Sequence, residues 1–532
     1  MTPSARAAWL AGLLLAAPLA SAATYTVGPT GRQYSQLSQV FTSRDLAPGD
    51  IIEVDGNATY SGGIVVGEND GGAPGNPVVI RWNRAAGTTR PVLQGGQHTI
   101  KFQRANHVVF EGFEVRGGTN TCVFSEAHDV TVRDALITAC PSHGILGADQ
   151  YSGSFTLEYS EISNTGSGTT RHSVYMQSDE VAYPGAVFVM RHNYLHSATG
   201  GNLLKVRHER SQIHYNWFEG AVYQAMELIG PDCETQQAAW TPDLKREDFE
   251  VLGNVIVHTA SWRNAIRVGG DLNGRSQGRA RLVNNTILFD RAGAANAVMV
   301  QLGQESLEMH NNLVFQTSAG SSPSIVYENP AADLETPYCA PFGREPWISG
   351  RKVAGSHNWV QNGAQRVPSE WTNTYQGSDP MLADIAQRRL RPRSGSPLLA
   401  MAQPSAPTAP AFPYPTPTAW PLYDPPMRTK VAMGAALTRL RPAAGPAIGA
   451  FEQFGSDEDT GPIRVNGAHP LIPGAAPLPA APTAAVPATL QAVALPREPV
   501  VRPAAATRRH AAVTWPWVYR LWVWSSRWWP AD

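Results

Sequence analysis

A short phrase recurs through the middle of the chain. It reads VFEGFEV, VRDALIT, LEYSEIS, MRHNYLH, IHYNWFE, VLGNVIV, LVNNTIL and MHNNLVF, and alignment puts Gly112, Ala135, Ser160, Asn193, Asn216, Asn254, Asn285 and Asn312 in one column. The steps between column members run from 23 to 38 residues, so this is an internal repeat carrying insertions. Five successive Asn in one column mean that each copy of the repeat has the same local hydrogen-bonding need.

Ten to fourteen residues after each column position comes a second short strand with the period of two of β-structure. Its buried first positions read Ile100, Val123, Ile145, Val174, Leu204, Met226, Ile266 and Val298. Two short strands per repeat, no helical periodicity between them and an Asn at one turn predict an all-β solenoid, a right-handed parallel β-helix. Each rung then lies about 4.8 Å above the last, and Asn side chains in one column can hydrogen-bond along the stack. A β-sandwich also has many short strands, but it would not hold an Asn in register over five units.

The first 22 residues combine one basic residue, Arg6, with an apolar run from Ala7 to Leu19 and the small-x-small sequence Ala20-Ser21-Ala22. That pattern predicts a cleaved signal peptide and a secreted or periplasmic protein, with 23–455 as the β-helix domain. Cys122, Cys140, Cys233 and Cys339 would then lie in an oxidising compartment, where three disulfide connectivities are open. Residues 456–514 are rich in Pro and Ala without apolar periodicity, which predicts a disordered or semi-rigid linker. The tail 515–532 holds six Trp, and Trp515 to Trp529 would suit a membrane surface or a glycan.

The layout over about residues 24 to 455 resembles the pectate lyase-like superfamily of β-helices. GPTGRQYSQLSQVFTSRDLAPGDIIEVDGNATYSGGIVV resembles the N-terminal start of that group. SDPMLADIAQRRLRPRSGSPLLA and PAIGAFE resemble its closing rung and cap. MELIG followed by IRVGGD is similar to the alginate lyase and chondroitinase B type. The resemblance implies that Glu227 binds calcium and that Arg267 is the Arg of the following rung. The Lys of that type has no counterpart after Glu227, where Gly230-Pro231-Asp232 stand, so Lys205 would serve from the preceding rung.

The second strand's outward positions form a groove floor. They read Lys101, Phe124, Leu146, Tyr175, Lys205, Glu227, Arg267 and Met299, and then Gln103, Glu126, Ala148, Gln177, Arg207, Ile229, Gly269 and Gln301. Charged and polar groups gather on four rungs, from Tyr175 to Arg267, as a binding site on a solenoid would. Charge is balanced at 42 basic against 43 acidic residues, so nothing global points to nucleic acid and any electrostatic function is local. No Walker loop, dinucleotide fingerprint, zinc spacing or Gly-x-Ser-x-Gly elbow occurs.

Such a cluster suits β-elimination on a uronate-containing polysaccharide, acted on by a monomer. Cations on the substrate carboxylate stabilise the enolate-like transition state, and a base takes the α-proton. Lys205 is the expected base, its pKa lowered by Arg207 on the same strand. Arg207 or Arg267 would clamp the carboxylate, and Tyr175 would protonate the leaving oxygen or stack on a sugar. Gln177, Glu227, His172 and Asp271 would bind substrate, and Glu227 with Asp232 would hold any Ca2+. The same charges would equally serve as cross-rung pairs on a solvated face. A glycoside hydrolase built on Asp232 and Asp271, a C5-epimerase using His172 or His143, and a non-catalytic carbohydrate-binding surface protein are the alternatives.

Overall fold

The computed structural model describes residues 22–230, 247–271, 278–329, 345–406, 421–440 and 442–453. The signal segment up to residue 21, Asp232, Cys233, Cys339, the Pro/Ala-rich stretch and the Trp-rich tail lie outside the described residues. All described residues belong to the first of two units into which the chain divides, Met1–Leu478.

Those residues form a right-handed parallel β-helix. Each complete rung contributes one strand to each of three sheets, two of twelve strands and one of ten, all paired in parallel. The rung around Lys205 shows the pattern: Val187–Arg191 in the first sheet, Tyr194–His196 in the third, then Leu204–Arg207 in the second. The expected two strands per repeat are therefore three. The recurrent phrase is two strands with a tight turn between them, and a turn this short leaves no gap in the hydrophobic pattern.

That turn explains the column. The residue before each column member adopts a left-handed conformation, as at Asp134, Tyr159, His192, Tyr215, Gly253, Asn284, Asn311 and His357. The chain bends so sharply that the next N–H cannot join a ladder, and the Asn of the following rung accepts it. Asn193 N–H donates to Asn216 Oδ1 (3.0 Å), Asn216 to Asn254 (2.8 Å), Asn254 to Asn285 (3.0 Å) and Asn285 to Asn312 (2.9 Å). The stack continues one rung beyond the expected end, to Asn358.

Strand register corrects the column's other end. Glu111 pairs with Arg133, which aligns Phe113 with Ala135 and leaves Gly112 opposite Asp134. Gly112 is thus the left-handed turn residue (φ 90°), a conformation open to Gly at no steric cost.

Inside the coil, the inward positions of all three sheets form one continuous apolar core in which the expected series from Ile100 to Val298 is fully or almost fully buried. Their register across the second sheet agrees rung by rung with the sequence alignment. Cys122 and Cys140 form a disulfide within this core; closing a loop of this length stabilises by about 3 kcal/mol.

The stretch expected to close the last rung does something different. Outward residues of the third sheet are apolar, among them Trp217, Val255, Leu288, Leu313 and Trp359, and they form a second core with Leu382, Leu390, Leu398, Ile448 and Phe451. The C-terminal segment therefore covers one side of the solenoid, because an apolar sheet face of that size must be taken out of water. It is pinned by buried ion pairs, Arg391–Asp424 at 2.6 Å and Arg439 to Glu452 through Nε at 3.0 Å. The outer face of the second sheet carries the polar groups.

Candidate functional site

On that outer face, pairing sets Tyr175 beside Lys205, Lys205 beside Glu227, Glu227 beside Arg267 and Gln177 beside Arg207. All are outward positions on consecutive strands, as the period of two requires. Asp271, two residues past the strand Asn264–Gly269, reaches back to the same cluster.

The contacts among the described residues form a network. Glu227 accepts from Arg267 Nη1 (2.7 Å) and from Asn202 Nδ2 (2.8 Å), and its Oε2 lies 3.5 Å from Lys205 Nζ. Asp271 Oδ2 is 3.4 Å from Lys205 Nζ and pairs with Arg207. Arg207 donates through Nε to the Tyr175 hydroxyl (3.1 Å) and also to the Gly230 carbonyl. Lys205 Nζ stands 5.2 Å over the Tyr175 ring, a cation–π distance. The Arg207 side chain is 3% exposed, whereas Lys205 and Arg267 each keep 14%. Arg207 therefore holds other groups in place, while Lys205 and Arg267 can meet a substrate.

The expected depression of the Lys205 pKa is not found. Burial pushes it down, but Glu227 beside it pushes up, Arg207 pushes down, Tyr175 and then Asp271 push up, and the balance lies above the ordinary lysine value. Two carboxylates within 3.5 Å, together with Tyr175, outweigh burial and one guanidinium, so Lys205 is held as an ammonium.

His143 and His172 stand at the turn into the second sheet. His143 Nδ1 accepts the N–H of His172 (3.1 Å), and His172 Nδ1 accepts the N–H of Asn202 (3.0 Å). Asn202 Oδ1 in turn accepts the N–H of Gln224 (3.0 Å). With Nδ1 an acceptor in each ring, the network assigns both as neutral imidazoles protonated at Nε2. This is a second polar column, two residues ahead of each buried strand position, and it assigns the histidines to the turn. Asn202, which orients Glu227, belongs to it and was missed by sequence reasoning; its signal was that fixed offset.

Burial holds both rings neutral, lowering His143 to about 3 and His172 well below its ordinary value. The unfolded chain binds protons below pH ~6.5 while the folded rings do not, so their contribution to stability is complete above that pH. For His143 it declines as pH falls from about 6.5 toward about 3, by about 1.4 kcal/mol per pH unit, and the His172 contribution declines in the same direction. Replacing both by Asn, the residue the next rung uses, is expected to flatten the dependence of the urea midpoint between pH 6.5 and 5. Identical pH slopes for the variant and the parent would refute the neutral assignment.

Glu227 is a poor calcium ligand as it stands. Arg267, Lys205 and Asn202 occupy its oxygens, Asp232 lies outside the described residues, and no group of three potential ligands forms among those described. The described residues by themselves supply no calcium site, and no step below depends on one.

No protein family matches the sequence, and no curated protein matches it either. Solved structures do show similarity. An alginate lyase from Paenibacillus sp. str. FPU-7 is 14% identical, with 67% of this chain and 98% of that one covered and a TM-score of 0.38. Pectate lyase Pel9A is 12% identical over 82% and 97%, with a TM-score of 0.40. A PL6 family polysaccharide lyase, Pedsa3628 from Pseudopedobacter saltans, is 11% identical over 62% and 88%, with a TM-score of 0.33. At such identities the likeness concerns fold alone, and the fold itself rests on the sheet order.

Proposed function

We infer that this chain is a polysaccharide lyase that cleaves a uronate-containing polymer by β-elimination, with Tyr175 and Lys205 as its proton-transferring pair. The observation that carries this reading is the Arg207–Tyr175–Lys205 contact, flanked by Arg267, on an outward sheet face. A sugar carboxylate entering the groove meets the two cations that keep exposed surface, Lys205 and Arg267. Both would stabilise negative charge as it builds on that carboxylate. Tyr175 Oη, ionised before the step, takes the α-proton and is left as the phenol, with Arg207 Nε–H donating to that oxygen throughout. The C–O bond to the leaving sugar breaks, and the Lys205 ammonium supplies the proton to that oxygen. The roles first expected for Lys205 and Tyr175 are thereby exchanged, because Lys205 is held charged.

The exchange has a measurable sign. As an acid, Lys205 must be protonated, so kcat/KM falls as pH rises through its pKa. Glu227→Gln removes the carboxylate that raises that pKa and is expected to move the alkaline limb to lower pH. Tyr175→Phe is expected to lose turnover by about 10²-fold or more while still binding polymer. An acidic limb that moves in Glu227→Gln would instead make Lys205 the base, and a fully active Tyr175→Phe would remove Tyr175 from the reaction.

A second reading, a non-catalytic carbohydrate-binding surface on a secreted protein, is favoured by the self-pairing of Lys205, Glu227, Asp271 and Arg267. It predicts that each charge-removing variant weakens binding gradually and that no product forms. A hydrolase has less support, because Asp271 is committed to Lys205 and Arg207.

A further inference from the structure

Outside the Lys205 cluster, one edge of the second sheet carries an open cleft of about 520 Å³. Glu68, Arg104, His107, Tyr151 and Tyr183 line it, with Gly71 to Pro74 as its small-residue side. Arg104 follows the strand His98–Gln103, Tyr151 follows His143–Gly147 and Tyr183 follows Val174–Gln177. All three therefore sit in turns leaving the sheet at the edge where Arg207 ends its own strand. Tyr183 is one rung from Arg207 and Tyr151 two, a separation along the axis of about 5 and 10 Å.

Tyr151 is 49% exposed and its backbone is left-handed (φ 59°), which is costly for a bulky side chain. It does not belong to the left-handed series at the Asn column. Asp179 holds it in place: Oδ2 accepts the Tyr151 N–H (3.0 Å), while the Asp179 carbonyl accepts the Tyr183 N–H (2.8 Å). One residue thus fixes both aromatic turns. Tyr183 is further braced by stacking on His128, with ring centroids 4.5 Å apart. The Arg104 guanidinium lies 5.6 Å over the Tyr151 ring, and its ion pair with Glu68 (3.3 Å) is exposed on both sides. An exposed pair of this kind is worth little and exchanges readily for another carboxylate.

A rigid, half-exposed aromatic ring with a guanidinium at its face matches a pyranose that carries a carboxylate. We propose that this cleft is a binding subsite for a uronate ring of the polymer lying on the second sheet, with Tyr151 as stacking platform and Arg104 as carboxylate partner. The proposal rests on the acidic-polymer reading above. It adds that recognition extends along this edge, so that long chains are held better than short ones.

The test is calorimetric titration of the full chain with oligogalacturonates and oligoalginates, from disaccharide to hexasaccharide. Tyr151→Gly removes the ring at a position where Gly is unstrained, so the variant keeps the fold. It is expected to weaken hexasaccharide binding about five- to tenfold and to leave the disaccharide unchanged. Tyr151→Phe should bind as the parent does, and Arg104→Gln should lose affinity for the free acid but not for its methyl ester. Equal affinities of parent and Tyr151→Gly along the whole size series would overturn the subsite and leave the lyase reading intact. Failure of the parent to bind any of these sugars would overturn both.

Discussion

Replacing Lys205 by alanine is expected to abolish turnover, by about 10³-fold or more, while leaving the fold intact. The variant is well suited to separate chemistry from structure. Glu227 retains its bonds from Arg267 and Asn202, and Asp271 retains its pair with Arg207, so no carboxylate is left buried and alone. What is lost is the ammonium 5.2 Å from the Tyr175 ring, and with it the proton for the leaving oxygen and half of the cationic contact with the sugar carboxylate. Product formation measured at equal denaturation midpoints checks this. Activity near the parental level would point to a hydrolase that does not use Lys205.

The second large effect concerns the turn column. Asn254 accepts from the backbone N–H (2.8 Å) and the side-chain amide (3.0 Å) of Asn216, and donates to the Ile213 carbonyl (2.8 Å). Asn254→Ala leaves these groups buried without their partner. At about 1–3 kcal/mol for each unsatisfied group, partly relieved by relaxation, the variant is expected to lose about 4 kcal/mol. Urea denaturation of parent and variant measures it. The column itself supplies a contrast: Ala135 already lacks an amide, and its N–H is taken by Ser160 Oγ (3.1 Å). Ala135→Asn is therefore expected to change stability far less, and equal losses at positions 135 and 254 would mean that the column is not a continuous ladder.

The parts of this molecule that were legible in its sequence are those governed by strict repetition. The buried series from Ile100 to Val298 and the outward series from Lys101 to Met299 both follow from a period of two, and the pairing confirms each member. Misread features depend on where the chain turns. Gly112 entered the column because a one-residue offset looks the same in a short apolar phrase, and only register shows that Phe113 faces Ala135. The third strand was hidden by the tightness of the turn beside Asn. Residues far apart in the chain were the least legible: nothing local announces that Ile448 and Phe451 cover Trp217, or that Arg391 meets Asp424.

Within the site, sequence placed Tyr175, Lys205, Glu227, Arg267 and Arg207 on one face but not their charge states. The pKa of Lys205 depends on which carboxylates come within 3.5 Å, and Asp271 does so from 66 residues away. Asn202 escaped notice because it serves the turn column and the cluster together.

The most direct measurement is absorbance in the unsaturated-uronate band while the purified protein is incubated with pectate, alginate and other acidic polysaccharides, with and without added calcium. A lyase gives a steady rise on at least one polymer, and the rise disappears in Lys205→Ala and Tyr175→Phe. No rise on any polymer, with bound sugar but no new chain ends, would contradict elimination and leave the charged face as a carbohydrate-binding surface.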